Sequence, residues 1–83
     1  MKVTVLIRPK DGILDPQGQA VEGSLRHLGF ALRRAHVGRL VEIELDSTDA
    51  AEARAEVARM CEQLLANTLI ESYEIEIDGQ GHG

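Results

Sequence analysis

The chain opens on an alternation. KVTVLIR, Lys2 to Arg8, sets Val3, Val5 and Ile7 on one face and Thr4 and Leu6 on the other, the two-residue period of a strand whose second face is also partly apolar. Such a strand lies centrally in its sheet or has its second face covered by another subunit. Pro9 ends it, because proline has no N–H to give to a ladder. The period then lengthens. Ala20, Val21, Leu25 and Leu28 recur at helical spacing. Asp15-Pro16 marks the helix start, since Asp accepts from the free N–H groups of a first turn and Pro loses nothing at the first helical position. Gly29, free to take positive φ, stops the helix.

Two strand patterns follow. Phe30 to Val37 (FALRRAHV) is the less regular, and Leu40 to Leu45 (LVEIEL) sets Val41, Ile43 and Leu45 against Glu42 and Glu44, with Gly38-Arg39 between them reading as a hairpin turn. Ser47, Thr48 and Asp49 offer caps for a second helix running to about Ala66, with Val57, Cys61, Leu64 and Leu65 as its apolar stripe. Asn67 is expected as a left-handed cap, and Leu69 to Ile77 alternates as a last strand with Ile70 or Tyr73, Ile75 and Ile77 inward. The order βαββαβ predicts an α+β fold, a ferredoxin-like antiparallel four-stranded sheet with two helices on one face. The other sheet face, carrying Leu6 with Leu40 as a neighbour, is left open, and a chain this small gains stability by covering it with a second copy. The expectation is one domain over residues 1–78, oligomeric through that face, with a disordered glycine-rich tail at 79–83.

Composition narrows the function. With 83 residues the chain hides only about 60% of its unfolded surface, so its stability margin is small. The single cysteine, Cys61, excludes an intramolecular disulfide framework and fits a reducing compartment. No apolar run approaches the ~20 residues of a membrane span and no cleavage site follows the N-terminus, so a cytoplasmic protein is expected. The net charge of −5 divides unevenly: residues 1–40 carry +4 and residues 41–83 carry −9. That polarity suits self-association or docking on a basic partner, and equally two ordinary solvated faces. The acidic total argues against nucleic acid, and the two aromatic residues, Phe30 and Tyr73, leave no platform on which bases would stack.

No catalytic constellation is visible. His27, His36 and His82 have no metal-ligand spacing with one another or with Cys61. Cys61 lies on the apolar stripe, where it serves as a small core residue with nothing beside it in sequence to lower its pKa. Ser24, Ser47 and Ser72 have no nucleophile elbow. Glu42/Glu44 and Glu74/Glu76 read as the wet face of strands rather than as an acid/base pair. The stretch GILDPQG, residues 12–18, lacks the phosphate-loop patterns, and the carboxylate of Asp15 would repel a phosphate from the helix start. What remains is a small interaction or regulatory module.

GILDPQG at residues 12–18, HVGRLVEIEL in the hairpin and MCEQLLANTLIESYEIE at residues 60–76 resemble the PurS family, the small subunit of bacterial and archaeal phosphoribosylformylglycinamidine synthase. The resemblance runs from about Val3 to Asp78. One departure is Arg39, where the family usually has Lys, which keeps the charge and changes the hydrogen-bond geometry. The resemblance implies the fourth step of de novo purine synthesis, in which formylglycinamide ribonucleotide becomes its amidine. It implies a non-catalytic chain without a cofactor of its own, in a complex whose other subunits use ATP, Mg and glutamine. The expected partners are a second copy, as dimer or tetramer, together with a large synthetase subunit and a glutaminase subunit, which the small chain bridges so that ammonia passes between their sites. Partner contact is expected at Asp15, Pro16, Gln17 and Gly18, at Arg39, and at the corner formed by Leu64, Leu65, Asn67, Ile70 and Glu71. An alternative with the same element order is an ACT-like domain that binds a small regulatory molecule at a dimer interface.

Overall fold

A computed structural model describes residues 1–77. The expected tail, 79–83, lies outside the described residues. The elements are β1 (Lys2–Pro9), α1 (Pro16–His27), β2 (Arg39–Glu44), α2 (Ala50–Met60), a π-helical turn (Cys61–Leu65) and β3 (Glu71–Ile77). The sheet is antiparallel, three-stranded and ordered β2-β1-β3. β1 is central as its two apolar faces require: Val3, Val5 and Ile7 are buried, and Leu6 lies on the opposite face directly across from Leu40.

α2 covers the first face. Ala53, Val57 and Cys61 meet Val3, Val5, Ile7 and Ile77 in one apolar cluster, with Val41, Ile43, Leu45, Tyr73 and Ile75 packed round it. Both helix starts follow the sequence. Asp49 accepts from the N–H groups of Ala51 and Glu52, and Asp15 accepts from Gly18 with Pro16 as the first helical residue. Gly29 takes φ +99° just beyond α1.

Four expectations are corrected. The segment Phe30–Val37 forms no strand, so the sheet has three strands rather than four. The two helices do not share a sheet face: no residue of α1 joins the core cluster, Gly18 is its one buried residue, and Val21 and Leu28 stand exposed. Asn67 is not left-handed. Its backbone carbonyl accepts from Ile70 and Glu71 instead, and its side-chain oxygen accepts from Leu69. Leu64, expected on the apolar stripe, is 84% exposed. Beyond Met60 the helix widens, with the Ala66 N–H bonded back to the Cys61 carbonyl at 3.1 Å. The i→i+5 pattern advances each residue less about the axis than an α-helix does, and this turns Leu64 outward while Cys61 and Ala66 stay buried.

The molecule is elongated, 48 × 30 × 16 Å, with α1 standing off the sheet. Its core is correspondingly thin, and single losses in it are expected to be felt. Val57→Ala removes two methyl groups from a fully buried position and is expected to lower the unfolding free energy by about 2 kcal/mol, measured by urea denaturation at fixed protein concentration.

Candidate functional site

The residues expected to contact partners fall into two groups at different places. The first is the start of α1. Lys10 to Ile13 form a turn, with the Ile13 N–H on the Lys10 carbonyl at 3.2 Å and Gly12 at φ +82°, a conformation that favours glycine. Asp15 then does two things at once. One carboxylate oxygen accepts from the Gly18 N–H at 3.0 Å, and the other accepts from the Val37 N–H at 3.0 Å. Two turns further on, Glu22 accepts from the Ala35 N–H at 3.0 Å and from Arg26 at 2.8 Å. Two carboxylates on one helix thus grip alternate amides of the segment after it.

Gly18 is required where these chains meet. A Cβ there would lie 2.4 Å from an Asp15 carboxylate oxygen and 2.5 Å from the Ala35 carbonyl. Pro16 and Gln17 are exposed on the turn above. His36 brings Nδ1 to 3.7 Å from Asp15. Asp11, Gln19, Glu22 and Arg34 join it around a cleft of 480 Å³. Sequence reading missed Glu22 and His36 as members of this site, because their partners lie too far along the chain for any local pattern to reveal them.

The two carboxyls titrate in the direction the geometry dictates. The amides of Gly18 and then Val37 hold the Asp15 carboxyl below its ordinary value, with the nearby His36 adding to this. The Ala35 amide first, and Arg26 second, do the same for Glu22. A carboxyl lowered in the folded state contributes stability above the ordinary carboxylate range, about pH 4, and that contribution is lost as pH falls through the lowered values.

The second group is the corner between the π-helical turn and β3. Glu71 organises it: one carboxylate oxygen accepts from Arg39 at 2.7 Å and from the Asn67 N–H at 2.8 Å. Arg39 also donates to the Leu65 carbonyl at 3.1 Å, so a residue of β2 closes the end of the helix. Both bonds leave the guanidinium from one nitrogen, Nη2, whose two N–H groups lie in the guanidinium plane. Lys10 adds a tie from its side chain to the Thr68 carbonyl at 2.7 Å, and Tyr73 donates to Glu62 at 2.8 Å. On this braced frame Leu64, Ile70 and Leu69 are exposed. Leu65 is half-buried against the core. Leu69 was not among the expected contacts, since alternation placed it in the last strand.

Neither group contains a reactive centre. Burial pushes the Cys61 thiol up, with the Glu62 charge adding to the effect, so thiolate is scarce there. Among the described residues no three His, Cys, Asp or Glu side chains gather in a way that would hold a metal ion. No helix of the described residues is long and apolar enough to cross a membrane.

Two outcomes test the grip of Asp15 and Glu22. Gly18→Ala is expected to cost about 1–3 kcal/mol in stability, measured by chemical denaturation, because its new methyl group meets both the cap and the Ala35 carbonyl. Amide exchange, compared with that of buried β1 amides, is expected to show the Ala35 and Val37 N–H groups protected near pH 6 and losing protection selectively below about pH 4. Unchanged relative protection on acidification would mean that the carboxylates do not hold the segment.

The sequence profile of the PurS family, described as phosphoribosylformylglycinamidine (FGAM) synthase, matches residues 2–79. The PurS subunit of that synthase from Synechocystis sp. is 40% identical over 77 residues, spanning 92% of this chain and 75% of the relative. Among solved structures, Methanocaldococcus jannaschii PurS, one of the subunits of formylglycinamide ribonucleotide amidotransferase in the purine biosynthetic pathway, is 34% identical with a TM-score of 0.80, covering 90% of this chain and 92% of that one. A chain in the structure of PurLQS from Thermotoga maritima is 26% identical with a TM-score of 0.82, covering 90% and 93%. A match over nearly the full described length, in sequence and in fold alike, makes this chain a member of the PurS family, a subunit of the phosphoribosylformylglycinamidine synthase of purine biosynthesis.

Proposed function

We propose that this subunit is a non-catalytic adaptor of the cytoplasmic synthase, which joins a synthetase subunit to a glutaminase subunit so that ammonia passes from one site to the other. It acts as a dimer or tetramer, and ATP, Mg and glutamine are handled by its partners. The observation that carries this reading is the division of the molecule into two projecting contact regions held rigidly by side-chain-to-backbone bonds: the α1 start with Asp15 at its base, and the corner braced by Arg39 and Glu71. A relative in the structure of PurLQS supports the reading that such regions meet other subunits. Ammonia released into neutral water is largely protonated and loses its nucleophilicity, so passage between two active sites needs a junction that excludes water. A small subunit with two adhesive ends helps to build one without any chemistry of its own.

In this reading Asp15, Pro16, Gln17 and Gly18 shape one contact, and Leu64, Leu65, Asn67, Ile70 and Glu71, with Arg39, shape the other. Their roles differ. Asp15, Gly18, Arg39, Asn67 and Glu71 hold backbone in place, Leu65 anchors the corner to the core, and Gln17, Leu64 and Ile70 present the exposed surface.

Gln17→Ala and Leu64→Ser are therefore expected to leave the circular dichroism spectrum and unfolding midpoint of the free protein unchanged while each weakens assembly with the synthetase and glutaminase subunits about ten-fold, read by analytical ultracentrifugation of the mixture. Assembly of both variants at wild-type affinity would contradict this assignment of the contacts.

A further inference from the structure

Leu64 departs from the rule that the rest of α2 obeys. It follows Val57 by seven residues and Cys61 by three, a spacing that keeps side chains on one face of an α-helix, and both of those residues are fully buried. In an unbroken α-helix Leu64 would join them. It stands 84% exposed instead, against the hydrophobic effect, so groups outside the helix must favour the π-helical path. Single π turns within helices are frequent at functional sites.

The bonds that separate the two paths lie at the end of the turn. In an α-helix the Cys61 carbonyl would receive the N–H of Leu65. Here it receives that of Ala66 at 3.1 Å, and the chain leaves Ala66 extended, at φ −128° and ψ 143°. The last carbonyls of a helix take donors from elsewhere, and residues 61–65 contain no basic side chain to supply one. Arg39 supplies it from β2. Its Nη2 donates to the Leu65 carbonyl at 3.1 Å and to Glu71 at 2.7 Å, and the same Glu71 oxygen accepts from the Asn67 N–H at 2.8 Å. One nitrogen thus holds the last residue of the turn and, through Glu71, the residue two beyond it. Charged partners make these bonds stronger than neutral ones.

Arg39 is itself fixed in the sheet. It pairs with Ile7 of the central strand, and Gly38 lies so close that a Cβ there would sit 2.4 Å from the Ile7 carbonyl oxygen. Glu71 belongs to β3, on the far side of β1, so the Arg39 side chain reaches across the sheet to the turn. The other two ties of the corner, Lys10 to the Thr68 carbonyl and Tyr73 to Glu62, hold neither Leu65 nor Asn67.

We propose that Arg39 is a positioning residue for assembly: its two bonds select the π-helical path of residues 61–65 over the α-helical one and so turn Leu64 to the surface, where a partner subunit meets it. Arg39 acts through Leu64 rather than by touching the partner. The inference rests on the proposed contact at this corner and specifies what presents it.

NMR of the free protein with a soluble gadolinium chelate, which speeds the relaxation of exposed methyl groups, tests the proposal. In the wild type the Leu64 methyl groups are expected to be enhanced as strongly as those of Leu69, which is equally exposed. Arg39→Met keeps the length and loses the donors, and its Leu64 enhancement is expected to fall toward that of Val57 while Leu69 is unchanged. Arg39→Lys, whose ammonium also gathers several donors on one nitrogen, is expected to keep the enhancement. Assembly with the synthetase and glutaminase subunits is expected to weaken about ten-fold in Arg39→Met and to recover in Arg39→Lys. Leu64 still exposed in Arg39→Met overturns the proposal. An equal fall in both variants also overturns it, since general loosening of the corner, not the missing donors, would be the cause. Loss of Leu64 exposure with assembly at wild-type affinity leaves the control of the turn standing and overturns the proposed contact at Leu64. Should Arg39→Met fail to fold, the wild type decides: the Nη2 protons of Arg39 are expected as resolved, slowly exchanging signals at low temperature, and a freely rotating guanidinium overturns the proposal.

Discussion

The fold turns on a competition for two amides. Asp15, the cap of α1, and Glu22, two turns into it, take the N–H groups of Val37 and Ala35. A hairpin with β2 across Gly38-Arg39 would need those same two amides for its own ladder. With them held, the segment runs beside α1, the sheet has three strands, and α1 lies away from the core. The same two bonds fix the position of the α1 start and leave one edge of the sheet open. Carboxylates that accept from backbone amides make stronger bonds than neutral acceptors do, which is why side chains prevail over a strand ladder here.

Where the sequence was legible, the governing interaction was local. Alternation in KVTVLIR, LVEIEL and LIESYEIEI located three strands, the last beginning two residues later than expected, at Glu71, and Asp-Pro and Ser-Thr-Asp located both helix starts. Leu6 was correctly set on the open face beside Leu40. The failures have two causes, one distant and one local. FALRRAHV has strand character, but its amides are claimed by side chains from a helix well before it in sequence. Leu64 keeps helical spacing with Val57 and Cys61, but a π-helical turn rotates it out. Asn67 suits a left-handed cap, yet it caps the following turn through its carbonyl and side-chain oxygens, while its N–H is taken by Glu71. For FALRRAHV the deciding bonds are distant in sequence; for Leu64 and Asn67 the bonds of the turn itself span two to five residues, in patterns that helical spacing and cap preference do not reveal. The candidate contact residues were identified one by one, but their division into supports and exposed surface came from the hydrogen bonds.

The arrangement suits the proposed adaptor role. Its thiol is buried with the pKa raised, several of its carboxylates are engaged with backbone amides or with Lys, Arg and Tyr side chains, and exposed apolar side chains stand around α1 (Leu14, Val21, Leu28, Phe30), on the open sheet face (Leu40) and at the corner before β3 (Leu64, Leu69, Ile70). A thin core with apolar ends is costly for a free monomer and economical in an assembly that buries those ends. The rigid, side-chain-braced corners keep the ordering cost of such contacts low.

The central claim is that the subunit is needed for the transfer of ammonia and not for its use. Amidine formation by the synthetase and glutaminase subunits, with and without this chain, driven by glutamine or by ammonium chloride, tests it most directly. The account predicts that glutamine-driven turnover requires the chain while high ammonia restores turnover in its absence. Equal glutamine-driven turnover with and without the chain would contradict it.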